Sequence, residues 1–253
     1  HPMSALRTAV SLLAHTDATA EDQSEEATLR KAIRIQAKIP SIVAAIARTR
    51  EGKEVIDPNP EYGYAKNFLY MMNGEEPTDV QVEAMNTALV LHADHEINAS
   101  TFAARVIVAT LSDVYSGVTG AIGALKGPLH GGANEQVMAM LEEIGSLENV
   151  ESYIQKKFDN KEKVMGIGHR VYKEGDPRAK YLEDMARRLT EENGQPELYE
   201  MSVKIAQIIE EEKGLLPNVD FFSASVYHSL GIAHDLFTPI FAVSRTSGWI
   251  AHI

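Results

Sequence analysis

Polar side chains with possible chemical roles lie in five short segments of an otherwise largely apolar sequence. In the first, LHADHEINAST, His92 and His95 are three residues apart and would share one face of a helix, with Asp94 and Glu96 beside them. Such a group could bind a metal ion or an anion. It could equally be the polar end of a helix near the surface, and the segment alone leaves both interpretations open.

The second segment, KGPLHGGAN, contains His130 followed directly by two glycines. A helix is predicted to begin near Asn134, and a histidine near helix N-termini sits in positive potential that favours its neutral form. A neutral imidazole N–H can polarise a carbonyl group without giving up its proton. The glycines would allow a ligand to approach closely, which favours a functional role over an ordinary turn.

The third segment, VMGIGHRVYKEGDPR, concentrates positive charge in a chain whose formal net charge is −12. It is therefore the clearest candidate anion site, although a solvated basic loop would have the same composition. The two glycines of GIG match only a small part of a phosphate-loop motif and are weak evidence for one. The positive residues are His169, Arg170, Lys173 and Arg178.

The last two segments each contain one charged residue in apolar surroundings. Asp220 lies between Val219 and two phenylalanines in LLPNVDFFSAS. Apolar surroundings raise the pKa of a carboxyl group, which suits a general base, but Asp220 could equally cap a helix. Arg245 in FAVSRTSGW needs an anionic partner if buried, either a side chain or a substrate carboxylate.

Helices must position these segments, because nearly every stretch between them has helical periodicity and no alternating strand pair or repeat occurs. The predicted fold class is therefore all-α. Ser24 is a good N-cap, and Pro40 should end the helix that follows it. The predicted helices are 25–39, 41–47, 78–91, 134–144, 177–193, 201–213, 221–230 and 239–253, and 55–64 is a proline-rich loop.

Two local patterns make sharper predictions. Glycines at 117, 120 and 123 recur at every third position of the apolar stretch 101–126. They predict two buried helices in close backbone contact, joined near 115–117. Asp176 and Pro177 predict a helix start, with aspartate as the cap and proline at the first helical position.

Composition narrows the functional class. The 253-residue chain has no cysteine, which excludes disulfides, thiolate nucleophiles and cysteine metal sites, and its negative charge argues against nucleic-acid binding. The longest uncharged apolar stretch, 114–125, is too short to cross a bilayer, and no signal-peptide pattern is visible. We expect a cytoplasmic protein without nucleic-acid or membrane partners.

The chain begins His1-Pro2-Met3 and ends inside a predicted helix, so we expect a fragment of a longer protein.

The order and spacing of the five segments resemble the citrate synthase family along essentially the whole chain. The matching motifs are HADHE, GPLHGGAN, GIGHRVYKEGDPR, PNVDFFS and FAVSRTSGW. The third is similar to the bacterial type that includes citrate and 2-methylcitrate synthases. The resemblance implies a transferase of the tricarboxylic acid cycle that condenses acetyl-coenzyme A with oxaloacetate and water to give citrate and coenzyme A. The alternative donor is propionyl-coenzyme A.

The resemblance also implies residue roles. His130 would hydrogen-bond the thioester carbonyl, Asp220 would remove the α-proton, and His169 would polarise the ketone of oxaloacetate. Oxaloacetate would be bound by His95, Arg178 and Arg245. Coenzyme A would contact Val164, Met165, Gly166, Gly168, Lys173 and Asn218. No metal or further cofactor is implied, since the coenzyme A thioester is a substrate.

At the level of architecture, the resemblance implies a large helical domain with a smaller helical domain inserted in it. The large domain would comprise 1–131 and 232–253, and the small domain 132–231. A homodimer is expected, with a further substrate-binding arginine of the partner subunit lying beyond Ile253. The 253-residue chain alone is therefore expected to have impaired or no activity.

Two other classes of protein compete with this interpretation. A helical metal-dependent phosphohydrolase could use His92, Asp94 and His95, but that leaves His130 and Asp220 unexplained. A non-catalytic helical scaffold would fold normally and show no stabilisation by ligands.

Overall fold

The computed structural model describes residues 1–128 and 130–253, which form helices and contain no β-sheet. The all-α prediction is therefore confirmed. In chain order the helices are α1 Pro2–His15, α2 Glu25–Arg50, α3 Tyr64–Asn73, α4 Asp79–His92, α5 Ala99–Val108, α6 Val114–Leu125, α7 Ala133–Ile144, α8 Val150–Asp159, α9 Ala179–Glu192, α10 Pro196–Lys213, α11 Val219–Ser229 and α12 Phe237–His252. Two short 3-10 turns lie at Leu147–Asn149 and His234–Leu236.

The chain divides into two compact units. Unit 1 comprises residues 1–78, 89–131 and 238–253, and unit 2 comprises residues 79–88 and 132–237. Helix α4 contributes its first ten residues to unit 2 and its last four to unit 1. The predicted domains, 1–131 with 232–253 and 132–231, stay a prediction about how the protein is organised.

Helix α2 in unit 1 runs through the proline that was expected to end it. Pro40 is buried inside the helix, so the predicted break between 39 and 41 is wrong. Ile35 and Ile39 before the proline and Val43 and Ala47 after it are all buried. Because this apolar face continues across Pro40, packing outweighs the lost backbone hydrogen bond.

Helices α5 and α6 of unit 1 are in close contact, as the glycine spacing predicted, but α5 is not a buried helix, because Phe102 and Val106 on it are exposed. A Cβ atom on Gly117 would lie 2.8 Å from Val108 Cγ1, and one on Gly120 would overlap the Ile107 side chain. The joint between the helices lies at 109–113 and not near 115–117. The reason is a cap: Asp113 Oδ1 accepts a hydrogen bond from the Ser116 amide at 3.0 Å and starts α6 there.

Unit 2 contains α7 to α11, in which α9 packs against α11. Helix α9 buries an apolar face that includes Leu182, Met185 and Leu189, and it begins at Ala179, two residues after the predicted start. Helix α10 begins at Pro196, five residues before the predicted start at 201. Among all the helices described, none is long and apolar enough to span a membrane.

Candidate functional site

His130 lies in unit 1 against the first turn of α5. Its Nε2 is 2.7 Å from Ser100 Oγ and accepts a hydrogen bond from the Ser100 backbone N–H at 3.3 Å. Ser100 is itself fixed, because Trp249 Nε1–H donates to its Oγ at 3.0 Å and Asn98 Oδ1 accepts from its amide at 3.1 Å. Since a backbone N–H points at Nε2, we assign the proton of the neutral ring to Nδ1.

The surroundings of His130 favour its neutral form. Burial lowers the pKa of the imidazole, and the positive charge of Arg245 lowers it further, while a hydrogen bond to the histidine's own backbone acts weakly in the opposite direction. The ring also faces the N-terminus of α5, where the positive end of the helix dipole opposes protonation of the imidazole. His130 is therefore a hydrogen-bond donor that does not need to be protonated, as its sequence context predicted.

Arg245 is buried in α12, with 2% of its surface exposed. Its Nε donates a hydrogen bond to the His92 carbonyl oxygen at 2.7 Å, and its guanidinium carbon lies 4.7 Å from the centre of the Phe241 ring. The His92 ring meets the same phenylalanine edge-on, with centroids 5.2 Å apart. A carbonyl group and an aromatic face therefore hold the guanidinium in place at the end of α4.

His95 does not share a helical face with His92, because α4 ends at His92 and His95 lies in the turn that follows. That prediction is wrong. Asp94 is exposed, and its Oδ1 is 3.2 Å from His252 Nε2. Within residues 1–128 and 130–253, the side chains of His92, Asp94 and His95 do not converge as a group of metal ligands. The phosphohydrolase interpretation is not supported.

In unit 2, the segment 164–168 pairs with the segment that leads into α11. Gly168 N–H donates to the Leu216 carbonyl at 2.8 Å, and Asn218 N–H donates to the Gly166 carbonyl at 2.9 Å. An antiparallel β-bridge lies between these two hydrogen bonds. Val164 and Met165, which begin the segment, are half-buried. The predicted coenzyme A loop is thereby tied to the start of the helix that carries Asp220.

Position 166 requires glycine for two reasons, the conformation of its backbone and the closeness of its neighbours. Its φ is +75°, in the left-handed region, and a Cβ atom there would lie 2.8 Å from Val137 Cγ2 and 2.9 Å from Phe221 Cα. Only a residue without a side chain therefore lets the segment lie against α7 and α11.

Asp220 lies in the first turn of α11, and Asn218 is the residue that caps this helix. Asn218 Oδ1 accepts from the Asp220 amide at 3.0 Å, while Asn218 Nδ2 donates to the Gly168 carbonyl at 2.8 Å. The alternative interpretation of Asp220 as the N-cap is therefore wrong. A carboxylate in a first turn is stabilised by the positive end of the helix dipole, and the cap fixes where that turn begins.

His169 is oriented by two backbone amides. Its Nδ1 accepts hydrogen bonds from the Val171 and Tyr172 N–H groups, both at 3.1 Å. The neutral ring therefore carries its proton on Nε2. Lys173 Nζ lies 3.4 Å from the His169 carbonyl oxygen, and the lysine itself is exposed. The basic segment is thus a folded turn around the histidine.

Arg178 is held by Asp176 through two parallel hydrogen bonds. Arg178 Nε donates to Asp176 Oδ1 at 2.9 Å and Nη2 donates to Oδ2 at 2.7 Å, while the Val219 amide donates to Oδ2 at 3.0 Å. Burial raises the pKa of the Asp176 carboxyl, but the bonds and charge of Arg178 and the Val219 amide more than offset it, and the pKa lies below its usual value. Asp176 therefore fixes Arg178 beside the start of α11.

Sequence reasoning missed two residues that orient the predicted ones. Ser100 lies inside the first motif, where the Asn-Ala-Ser pattern was a signal for a capped helix start. Asp176 was interpreted as a helix cap, although an aspartate two residues before an arginine also signals an ion pair.

The structure groups the predicted residues within each unit. In unit 1 it brings His130 and Arg245 together, and His95 lies in the turn before α5. In unit 2 it brings the 164–168 segment, the His169 turn and Arg178 to the same region as the start of α11. The remaining predicted residues of unit 2 are Lys173, Asn218 and Asp220.

Known proteins similar to this chain include citrate synthases. The family described as "Citrate synthase, C-terminal domain" matches residues 1–253. Citrate synthase 2 of Bacillus subtilis (strain 168) is 66% identical over 253 residues, which are 100% of this chain and 68% of that protein.

Two solved structures share the fold. Citrate synthase from Pyrobaculum aerophilum has a TM-score of 0.93 and 42% identity, with 100% of this chain and 67% of that chain covered. Citrate synthase from Thermoplasma acidophilum, solved as a ternary complex with carboxymethyl coenzyme A and oxaloacetate, has a TM-score of 0.92 and 37% identity, with 99% and 68% covered. Because the family match spans every residue and the identity reaches 66%, the chain belongs to the citrate synthase family.

Proposed function

We propose that this protein is a citrate synthase-type transferase that condenses acetyl-coenzyme A with oxaloacetate and water to give citrate and coenzyme A. The observation that carries the assignment of roles is the fixed orientation of two imidazoles. Backbone amides donate to Nε2 of His130 and to Nδ1 of His169, so the other nitrogen of each neutral ring is a donor. The reaction needs two such donors, one for each carbonyl group.

Enolisation of the thioester is the first chemical step. The Asp220 carboxylate accepts a proton from the α-carbon, and the C–H bond electrons move into the thioester carbonyl. His130 Nδ1–H stabilises the negative charge that develops on the carbonyl oxygen. An α-proton of a thioester is weakly acidic, so the carboxylate depends on this donor.

Condensation and hydrolysis follow. The enol carbon attacks the ketone carbon of oxaloacetate, and His169 Nε2–H polarises the ketone by donating a hydrogen bond to its oxygen. That oxygen takes up a proton from solvent to become the hydroxyl of the product. Oxaloacetate carries two carboxylates, and guanidinium groups suit carboxylates because they can donate two parallel hydrogen bonds. We assign Arg178, Arg245 and His95 to oxaloacetate. Water then cleaves the thioester of citryl-coenzyme A and releases the thiol.

The loop 164–168 and Lys173 form the coenzyme A site in this proposal. Gly166 and Gly168, both with positive φ, set the course of the loop backbone, and the exposed ammonium of Lys173 can approach the phosphates of the ligand. The side chain of Asn218 is already bonded at both ends, to Gly168 and to Asp220. Asn218 therefore acts on coenzyme A by shaping the loop.

A homodimer in the cytoplasm and a preference for the acetyl donor belong to the same proposal. One methylene separates the acetyl from the propionyl group, and a pocket discriminates such a difference by about 1–3 kcal/mol. With propionyl-coenzyme A the product would be 2-methylcitrate.

A thiol-release assay on the full-length protein tests the function. We expect thiol from oxaloacetate with acetyl-coenzyme A, measured in parallel with propionyl-coenzyme A, and the ratio of kcat/KM values identifies the donor. Asp220→Asn removes the base and should lower kcat by roughly 100-fold or more. Asp159→Asn, at an exposed aspartate at the end of α8, is the control and should keep full activity.

The opposite result would favour the scaffold interpretation. If neither donor yields thiol although oxaloacetate still stabilises the fold, the protein binds the ligand without catalysing the reaction. Full activity of Asp220→Asn would show that Asp220 is not the base.

A further inference from the structure

Three side chains that no step of the condensation uses converge in unit 2. Glu142 comes from the last turn of α7, His228 from the last turn of α11, and His234 from the start of the 3-10 turn His234–Leu236. One ligand atom from each lies within 4.8 Å of those of the other two. Three segments that are distant in sequence thus present two imidazoles and one carboxylate to the same small volume.

The two distances from His234 to its neighbours in this cluster fit a bound ion better than hydrogen bonds, and the third separation, between His228 and Glu142, is within 4.8 Å. His234 Nε2 is 3.4 Å from His228 Nδ1 and 3.4 Å from Glu142 Oε1. Good N–H···O hydrogen bonds are about 2.7–3.2 Å long, so both contacts are long. Ligands of a tetrahedral ion with bonds of about 2.0–2.1 Å are separated by roughly 3.3–3.4 Å.

The cluster is both held in place and accessible. The His234 ring packs on the Phe237 ring with centroids 5.5 Å apart and on the His228 ring at 5.6 Å. Both histidines are half-buried, whereas Glu142 is exposed. An ion and a coordinating water could therefore reach ligands that are already oriented.

The electrostatic surroundings also favour a cation. Burial raises the pKa of Glu135, the negative charge of Asp235 raises it further, and His234 lowers it. Two more carboxyl groups therefore lie near His234 in addition to Glu142. Their combined negative potential would attract a dication to this side of unit 2.

We propose that Glu142, His228 and His234 form a binding site for a transition-metal dication of the zinc type, with water completing the coordination. Two imidazoles and a carboxylate are ligands that suit zinc, cobalt and nickel and do not suit magnesium or calcium. The bound ion links the C-terminal ends of α7 and α11 to the 3-10 turn and stabilises unit 2.

The site is separate from the proposed chemistry. His228 and Asp220 are at opposite ends of α11, eight residues and about 12 Å apart along the helix axis. The proposal does not depend on the citrate synthase activity, and its test does not measure turnover.

Calorimetric titration of the metal-free, full-length protein with zinc chloride tests the site. We expect one ion per subunit at this cluster and a rise in Tm with zinc but not with magnesium. His234→Gln should weaken zinc binding about tenfold or more, since loss of a ligand costs at least as much as loss of a group that orients one. His15→Gln, at an exposed histidine at the end of α1, is the matched control and should bind like the parent protein.

Two further measurements separate this site from adventitious binding. Glu142 is exposed, so Glu142→Gln keeps the fold and should still weaken zinc binding. Cobalt should produce the visible absorption bands of a low-symmetry, four-coordinate ion in the parent protein and lose them in His234→Gln. Equal zinc affinity in the parent, Glu142→Gln and His234→Gln proteins would assign the ion to other groups and overturn the proposal.

Discussion

At the scale of single residues, backbone amides determine which ring nitrogen of His130 and of His169 can donate a hydrogen bond. An amide that donates to one ring nitrogen requires that nitrogen to be an acceptor, and the proton then occupies the other one. His130 obtains this amide from α5, 30 residues away in sequence, whereas His169 obtains two from its own turn. The first arrangement could not be deduced from sequence because it depends on packing, but the second is local.

The charge state of His130 leads to a pH prediction. Burial and Arg245 place the pKa of His130 below the ordinary value of 6.5, so between the two values the unfolded chain binds more protons than the folded one. The resulting contribution to stability is complete above 6.5 and is lost as pH falls through the folded-state pKa. An NMR titration of the histidine ring should show the midpoint below 6.5, and Arg245→Gln should move it upward. A midpoint at or above 6.5 in the parent protein would contradict this account.

At the scale of helices, the sequence was most informative where the local signal and the packing agree. Helix α7 ends at Ile144, as the predicted range 134–144 required, with Gly145 after it in the left-handed conformation, and α9 covers most of the predicted range 177–193. Pro40 and Asp176 were misinterpreted for one common reason. Each carries a strong local signal, for a helix end or a helix start, that other contacts override. In the first case the contact is the burial of α2, and in the second it is the bonding of Asp176 to its near neighbour Arg178 and to the distant Val219 amide.

The contact between the 164–168 segment and α11 supports a matched pair of glycine substitutions. Gly166→Ala adds a Cβ that meets Val137 and the Phe221 backbone, and it also strains a φ of +75°. Gly194→Ala strains a φ of +67°, but its Cβ would have no atom within 4 Å. This variant therefore measures the cost of the backbone conformation alone. We expect Gly166→Ala to lower the free energy of unfolding by about 1–3 kcal/mol more than Gly194→Ala, measured by urea unfolding. Equal losses would mean that the segment moves away from α11 without cost.

At the scale of the whole molecule, the binding of anionic substrates depends more on where the positive charges lie than on the net charge of the chain. The chain carries 24 basic and 36 acidic residues, yet its proposed substrates are anions. Arg245 in unit 1 donates to the His92 carbonyl, and Arg178 in unit 2 is paired with the Asp176 carboxylate. The sequence identified both arginines. The partner of Arg178 lies only two residues away in sequence, whereas the partner of Arg245 comes from another helix and could not be deduced without the packing.

Ligand-induced stabilisation tests these two arginines in the folded protein. Oxaloacetate that binds only the folded state should stabilise it by about 2.7 kcal/mol when present at 100 times its Kd. We expect Arg178→Gln and Arg245→Gln each to reduce the oxaloacetate-induced rise in Tm, since each removes a cation that can pair with a carboxylate. Arg187→Gln, at a partly exposed arginine of α9 that pairs with Asp184 and Glu191 on the same helix, should leave the rise unchanged. Because the comparison is between shifts and not between melting temperatures, a variant that is merely less stable still reports on binding. If both variants respond to oxaloacetate as the parent protein does, neither guanidinium binds it, and the local concentration of positive charge would need a different explanation.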